Sequence, residues 1–180
     1  MDKSESIIQN EDVGKLREYI GTVNVTELSK SDNVSKSNML HLCVELNSLV
    51  CLQEIAGHKD ILGVLSRQRN KRGLLPIELA VELSSLDILR ILIPLVDLPP
   101  KLLLRACDIG DPSVVKEILK HNVNINESDD KGTAIHHCMI SSSDECAYII
   151  ASSSKEIDIT TEDQNGQNVL EASWECSSNN

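Results

Sequence analysis

The residues of this chain with the most obvious chemical potential are His136-His137-Cys138, six cysteines in all, and a few paired carboxylates. Two adjacent histidines beside a thiol raise the question of a metal or redox site. On a helix, however, neighbouring side chains point about 100° apart, so the two imidazoles do not converge on one ion. The cysteines show no C-x-x-C spacing, the pattern that zinc and dithiol redox sites use. In a reducing compartment they read as small buried apolar residues. Asp129-Asp130 and Asp144-Glu145 fall in a turn and at a helix start, where carboxylates complement backbone N–H groups. Paired acid–base catalysis needs a cleft, and no pattern marks one. Neither a phosphate-cradling glycine loop nor a dinucleotide fingerprint is present. The expectation is a non-catalytic protein without cofactor or metal. A metal- or redox-active protein built on His136, His137 and Cys138 is the competing chemistry.

The composition narrows the class further. The formal net charge is −11, which disfavours nucleic acid and anionic membrane, since both attract basic surfaces. The start, M-D-K-S-E-S, carries no apolar signal region. The apolar run from Ile91 to Leu98 is interrupted by Pro94 and Asp97 and is too short to span a bilayer. An intracellular location, cytoplasmic or nuclear, is expected. Aromatic residues make up only 2% of the chain and Phe is absent. A core of Leu, Ile, Val and Ala suits thin layers of stacked helix pairs better than one bulky centre.

The elements that must carry these residues are clearest between Asn70 and Ile93. A polar turn closes on Gly73. Pro76 opens a short apolar helix, where its missing N–H leaves nothing unsatisfied. Ser84-Ser85 breaks the pattern. A second apolar helix runs from about Leu86 to Ile93 and stops at Pro94. The order turn, helix, tight turn, helix recurs. Near the start, Ile7 and Ile8 precede a turn at Asn10-Glu11-Asp12, and Val13, Leu16, Tyr19 and Ile20 return at helical spacing. Residues 1–5 read as frayed, and 21–37 as a polar connection. Asn38 to Val44, the turn Asn47-Ser48, and a second helix through Val50, Cys51, Leu52 and Ile55 form the next unit. Gly57 reads as its left-handed stop and 58–69 as a long loop. Leu103, Ala106 and Cys107, the turn Gly110-Asp111, then Pro112 to Leu119 form a unit without a leading turn. Gly132 to Met139 with Cys146 to Ile150 form another, and Asp163 to Leu170 begins a last one.

These units resemble the ankyrin repeat, whose motif runs D-x-x-G-x-T-P-L-H-x-A-A-x-x-G-H. Asn70, Gly73, Pro76, Ile77, Leu79, Ala80 and Val81 match it, with Leu75 in the Thr place, Glu78 in the His place and Ser84-Ser85 in the Gly-His turn. The Thr register falls at 38, 75, 101, 133 and 168, a mean spacing of 32.5 residues, against about 33 for ankyrin. The resemblance implies an all-α, ankyrin-like helical solenoid of five to six helix-turn-helix repeats. Residues 1–28 would be an N-terminal capping half-repeat, 29–160 the degenerate repeats, and 161–180 a C-terminal half-repeat and tail. His41 and His136 fall on the motif's His position, where the family hydrogen-bonds turn backbone. Cys43, Cys107 and Cys138 fall on small-residue positions.

On this resemblance the function is protein–protein binding, as an adaptor or an inhibitor, similar to the ankyrin-type inhibitors of NF-κB-class transcription factors. A targeting or assembly subunit of an enzyme complex is the alternative. The two residues after each small pair face the family's concave groove: Glu45-Leu46, Glu82-Leu83, Asp108-Ile109 and Ile140-Ser141. They imply an acidic stripe beside an apolar one, fitted to a basic and apolar partner surface. The run R-Q-R-N-K-R, from Arg67 to Arg72, occupies a finger loop in which Lys71, Arg72 and Leu74 would touch an acidic partner patch.

Overall fold

The structure is a computed structural model that describes residues 3–22, 36–153 and 156–178. The chain is mostly helical and divides into two compact units, Met1–Asp97 and Leu98–Asn180. The division at Asp97 is not among the boundaries expected from the sequence. The expected boundary between residues 28 and 29, and most of the polar connection 21–37, lie outside the described residues.

The first unit holds α1 (Lys3–Gln9), α2 (Val13–Thr22), α3 (Met39–Glu45), α4 (Leu49–Ala56), α5 (Lys59–Leu65), α6 (Pro76–Glu82) and α7 (Leu86–Leu92). They form two layers. One layer runs α1, α3, α6, each packed on the next; the other runs α2, α4, α7. Within a pair, α1 packs on α2, α3 on α4 and α6 on α7. The second unit repeats the scheme with α8 (Leu102–Ile109), α9 (Pro112–Leu119), α10 (Ala134–Ile140), α11 (Asp144–Ala151) and α12 (Val169–Ser178). Here α8, α10 and α12 stack as one layer, and α9 packs on α11. A two-residue antiparallel ladder, β1 (Ser128–Asp129) with β2 (Gly132–Thr133), precedes α10.

Helices of seven to ten residues are not stable alone in water. Burial of one stripe in the neighbouring pair stabilises them. Leu40, Cys43 and Val44 of α3, Ala80 and Val81 of α6, Ala106 and Cys107 of α8, and Cys138 of α10 are all buried. Small residues at these sites let helices of one layer approach closely.

The turn between the two helices of a pair passes through a left-handed residue in all five pairs, and four of the five share one pair of backbone bonds, Gly110 instead bonding the Ala106 carbonyl. Glu11, Asn47, Ser84, Gly110 and Ser142 all have positive φ, from 50° to 75°. At Ser84 the N–H bonds the Val81 carbonyl, and the Ser85 N–H bonds the Ala80 carbonyl. The pairs Glu11/Asp12, Asn47/Ser48 and Ser142/Ser143 repeat those two bonds to the equivalent carbonyls. This is the left-handed helix stop that usually takes glycine. A side chain there crowds its own backbone. Ser84→Gly and Ser142→Gly are therefore expected to raise stability by about 0.5–1 kcal/mol each, read from urea unfolding. No gain in either variant would mean that the serines hold these turns without strain.

Histidines link successive units within each half. Asn38 caps α3 by accepting from the Leu40 and His41 N–H groups. His41 Nδ1 accepts from the Asn38 N–H at 3.3 Å, and its Nε2–H donates to the Leu74 carbonyl at 2.9 Å. His136 does the same, accepting from the Thr133 N–H at 3.1 Å and donating to the Gln167 carbonyl at 3.2 Å. At the corresponding place Glu78 accepts from the Leu75 N–H but, as a carboxylate, has no proton to donate onward.

Several expectations are corrected here. Residues 58–69 are not a long loop: Lys59–Leu65 is helix α5, because Ile61, Leu62 and Leu65 bury one face. Gly57 sits at φ −65°, an ordinary helical value, since the chain turns directly into α5. The helix expected through Val50, Cys51, Leu52 and Ile55 is α4, with Cys51, Leu52 and Ile55 buried and Val50 exposed. Helix begins at Lys3, and Ser4 is buried.

Candidate functional site

The residues expected to contact a partner sit at the C-terminal ends of the first helices, just before the left-handed turns. The helix period leaves that last position outside the buried stripe. Leu46 and Leu83 in the first unit are 43% and 48% exposed, and Ile109 at the matching position of the second is 42% exposed; in the last pair Ser141 takes that position and Ile140, one residue earlier, is 57% exposed. Scattered exposed aliphatics are normal on protein surfaces; the same type at equivalent sites of several helix pairs is not expected from burial alone. In the first unit a shallow cleft is lined by Glu45, Asn47, Leu83, Ser84, Asp87 and Arg90.

The acidic partners of these aliphatics are not a bare negative stripe. Glu45 is exposed and accepts from the Ser37 hydroxyl at 3.1 Å. Glu82 is paired with Arg72. Asp108 accepts from Lys131 Nζ at 3.1 Å. Counterions from the same unit therefore mute two of the three carboxylates.

The basic run is likewise engaged within its own unit. Arg67 pairs with Asp97 at 2.9 Å and Arg69 with Glu78 at 2.8 Å. Arg69 also donates to the Gly73 carbonyl, and Arg72 pairs with Glu82. Lys71 is exposed in the turn. Leu74 is not a surface contact: its side chain is 4% exposed and its carbonyl holds His41. The register places its side chain inward because its backbone closes the Asn70 turn.

The structure brings together one cluster that the sequence reading missed. His137 is 1% exposed, with Nδ1 2.9 Å from Asp108 Oδ1 and Nε2 2.9 Å from Asp129 Oδ1. Asp108 ends α8, Asp129 lies in β1, and Lys131 lies in the turn after it. Burial raises the Asp129 carboxyl, but hydrogen bonds from His137 and from the Lys131 N–H outweigh it and hold Asp129 below the usual range. Spacings of 29 and 8 residues gave no local signal for this cluster. The one hint was Asp129-Asp130-Lys131-Gly132, a turn able to fold a carboxylate back onto the helix that follows.

The thiols are in poor positions for chemistry. Cys107 is raised by its hydrogen bond with Cys138 and by burial, and Cys43 by burial. Such thiols are weak nucleophiles and weak metal ligands. His136 and His137 point to different partners, as adjacent helix positions must. Among the described residues, no group of three or more His, Cys, Asp and Glu is placed to hold a metal ion, and no helix is long and apolar enough to cross a membrane. No protein-family model matches the chain, and the search of curated proteins finds no match.

Proposed function

We propose that this chain is a degenerate ankyrin-like repeat protein that binds a partner protein without catalysing a reaction on it. The observation that carries the reading is the exposed aliphatic one residue before the left-handed turn, Leu46 and Leu83 in one unit and Ile109 in the other, with Ile140 exposed one residue earlier in the last pair, where Ser141 takes the matching position. The recurring left-handed turns and the His41 and His136 bridges support the repeat reading. The partner surface would be apolar with some basic character, because the net charge is −11 and Glu45 is exposed beside Leu46. Internal pairing of Glu82 and Asp108 makes the salt dependence of binding shallower than three bare carboxylates would give. An adaptor or inhibitor of an intracellular partner fits this surface.

The test is affinity enrichment from a cell extract with the wild-type chain and with a Leu46→Lys/Ile109→Lys/Ile140→Lys variant. Circular dichroism must first show that the variant is folded. The reading expects at least one protein held by the wild type and lost by the variant. An identical set of retained proteins would remove these rows as the functional surface.

A further inference from the structure

We propose that His137 is a proton-held clasp. Its ring carries hydrogen on both nitrogens, donates one to Asp108 and the other to Asp129, and so fixes the 128–133 hairpin onto α8 and α10.

The argument starts from donor counting. An ionised carboxylate only accepts, and a neutral imidazole has one N–H. With Asp108 and Asp129 both ionised, a neutral His137 would direct one ring lone pair at a carboxylate oxygen 2.9 Å away. Two short contacts, one on each nitrogen, are both attractive only with an extra proton in the cluster. Charge supports the same assignment. Two carboxylates face one ring, and Lys131 Nζ sits 3.1 and 3.3 Å from the two Asp108 oxygens. Asp108, Asp129, an imidazolium and Lys131 together sum to zero, so the charge on the buried ring is balanced by carboxylates that are themselves 35% and 28% exposed.

Among the described residues, the ring's hydrogen-bond partners are Asp108 and Asp129. From α8 it meets Asp108; from the hairpin, Asp129 and, through Asp108, Lys131. Lys101 lies close enough to Asp129 to favour its ionised form. On α10 itself His136 is turned away to Thr133 and Gln167. The thiols of Cys107 on α8, Cys138 on α10 and Cys146 on α11 are all buried and face one another. No charged group of α12 is within hydrogen-bonding distance of the ring among the described residues.

The hairpin needs such a clasp. Its ladder has two residue pairs, Ser128 with Thr133 and Asp129 with Gly132. A ladder that short is not stable by itself in water. Asp129, through His137, and Lys131, through Asp108, tie it to the helices, and the Asp129 oxygen that meets the ring also accepts the Lys131 N–H at 2.9 Å. Removing the ring proton at raised pH therefore leaves one contact repulsive and frees the hairpin. Protonating Asp129 in acid removes the acceptor charge and loosens it too. The hairpin is then firmest in a window between these limits. This inference does not depend on whether the unit binds a partner.

The full chain, labelled with nitrogen-15, tests it. Long-range proton–nitrogen spectra of the His137 ring are expected to show both nitrogens protonated while the hairpin amides are protected. Raising the pH until the ring loses a proton should speed amide exchange at Lys131, whose N–H is held by Asp129, about tenfold or more, after correction for base-catalysed exchange. In Asp108→Asn, the amide nitrogen can donate to Nδ1 while the amide oxygen still accepts from Lys131 Nζ, which lies near both Asp108 oxygens, so the ring needs only one N–H. That variant should keep the hairpin protected and lose the pH response. A wild-type ring with a single N–H in the protected state overturns the proposal without any variant. So does an Asp108→Asn chain that retains the wild-type pH response.

Discussion

Replacing His41 by alanine is expected to destabilise the chain by about 2–4 kcal/mol, a large fraction of an ordinary domain's stability. The imidazole is fully buried and satisfies two buried backbone groups, the Asn38 N–H and the Leu74 carbonyl. Alanine leaves the Asn38 N–H without a partner, which costs about 1–3 kcal/mol, and removes one of the two hydrogen bonds to the Leu74 carbonyl, which keeps the Asn70 N–H, for about 0.5–1.5 kcal/mol more. Urea unfolding with an unchanged slope would measure the loss. A loss under about 1 kcal/mol would mean that water replaces the ring and that the bridge is incidental.

The same residue sets part of the pH dependence. Burial lowers His41 from its ordinary value near 6.5, with the Leu74 hydrogen bond opposing only in part. Below that value the unfolded chain takes up a proton that the folded chain refuses. Its contribution is therefore complete above 6.5 and is lost as pH falls towards the lower folded value. Carboxylates come later. Asp12 is held low by its hydrogen bond with Lys15, and Glu54 by its bond with Arg17. Their contributions are present above the usual carboxylate range and disappear as pH falls through their lowered values. The acid limb should begin near pH 6.5 and steepen below it. In His41→Ala the first part should be missing.

Leu89→Ala and Leu83→Lys should separate the two roles of leucine six residues apart. Leu89, on α7, is fully buried between helix layers, and its truncation is expected to cost about 2–5 kcal/mol through lost burial and the cavity left behind. Leu83, just beyond α6, is half exposed, and lysine there should change stability by no more than about 0.5 kcal/mol. If the exposed rows bind a partner, Leu83→Lys should weaken that binding at least tenfold while thermal unfolding stays where it was. The pair is informative because the substitutions are close in sequence and opposite in consequence. A Leu83→Lys chain that unfolds as easily as Leu89→Ala would place Leu83 in the core and remove it from the candidate surface.

Much of the local structure was legible in the residues themselves. Pro76 and Pro112 open helices because ring geometry suits the first turn. The turns at Asn47, Ser84 and Gly110 could be placed because the apolar period breaks there and restarts in a new phase. The histidine bridges could be anticipated at the donor end from the register, but not at the acceptor end. Helix α5 was missed because Gly57-His58 looked like an exit and seven residues hold too few apolar positions to show a period.

The sequence by itself determined the class of element, the positions of most turns, and the residues whose side chains a helix cannot bury. These depend on periodicity and on hydrogen bonds spanning at most five residues. Only the tertiary structure decided the division at Asp97, the burial of Leu74, the internal pairing of Arg67, Arg69 and Arg72, and the meeting of Asp108, His137 and Asp129. Each of these last contacts joins residues 8 to 30 positions apart through side chains a few ångströms long. Their partners are selected by how neighbouring helix pairs are set against each other, and a shift of one residue in that packing would give every charge a different neighbour.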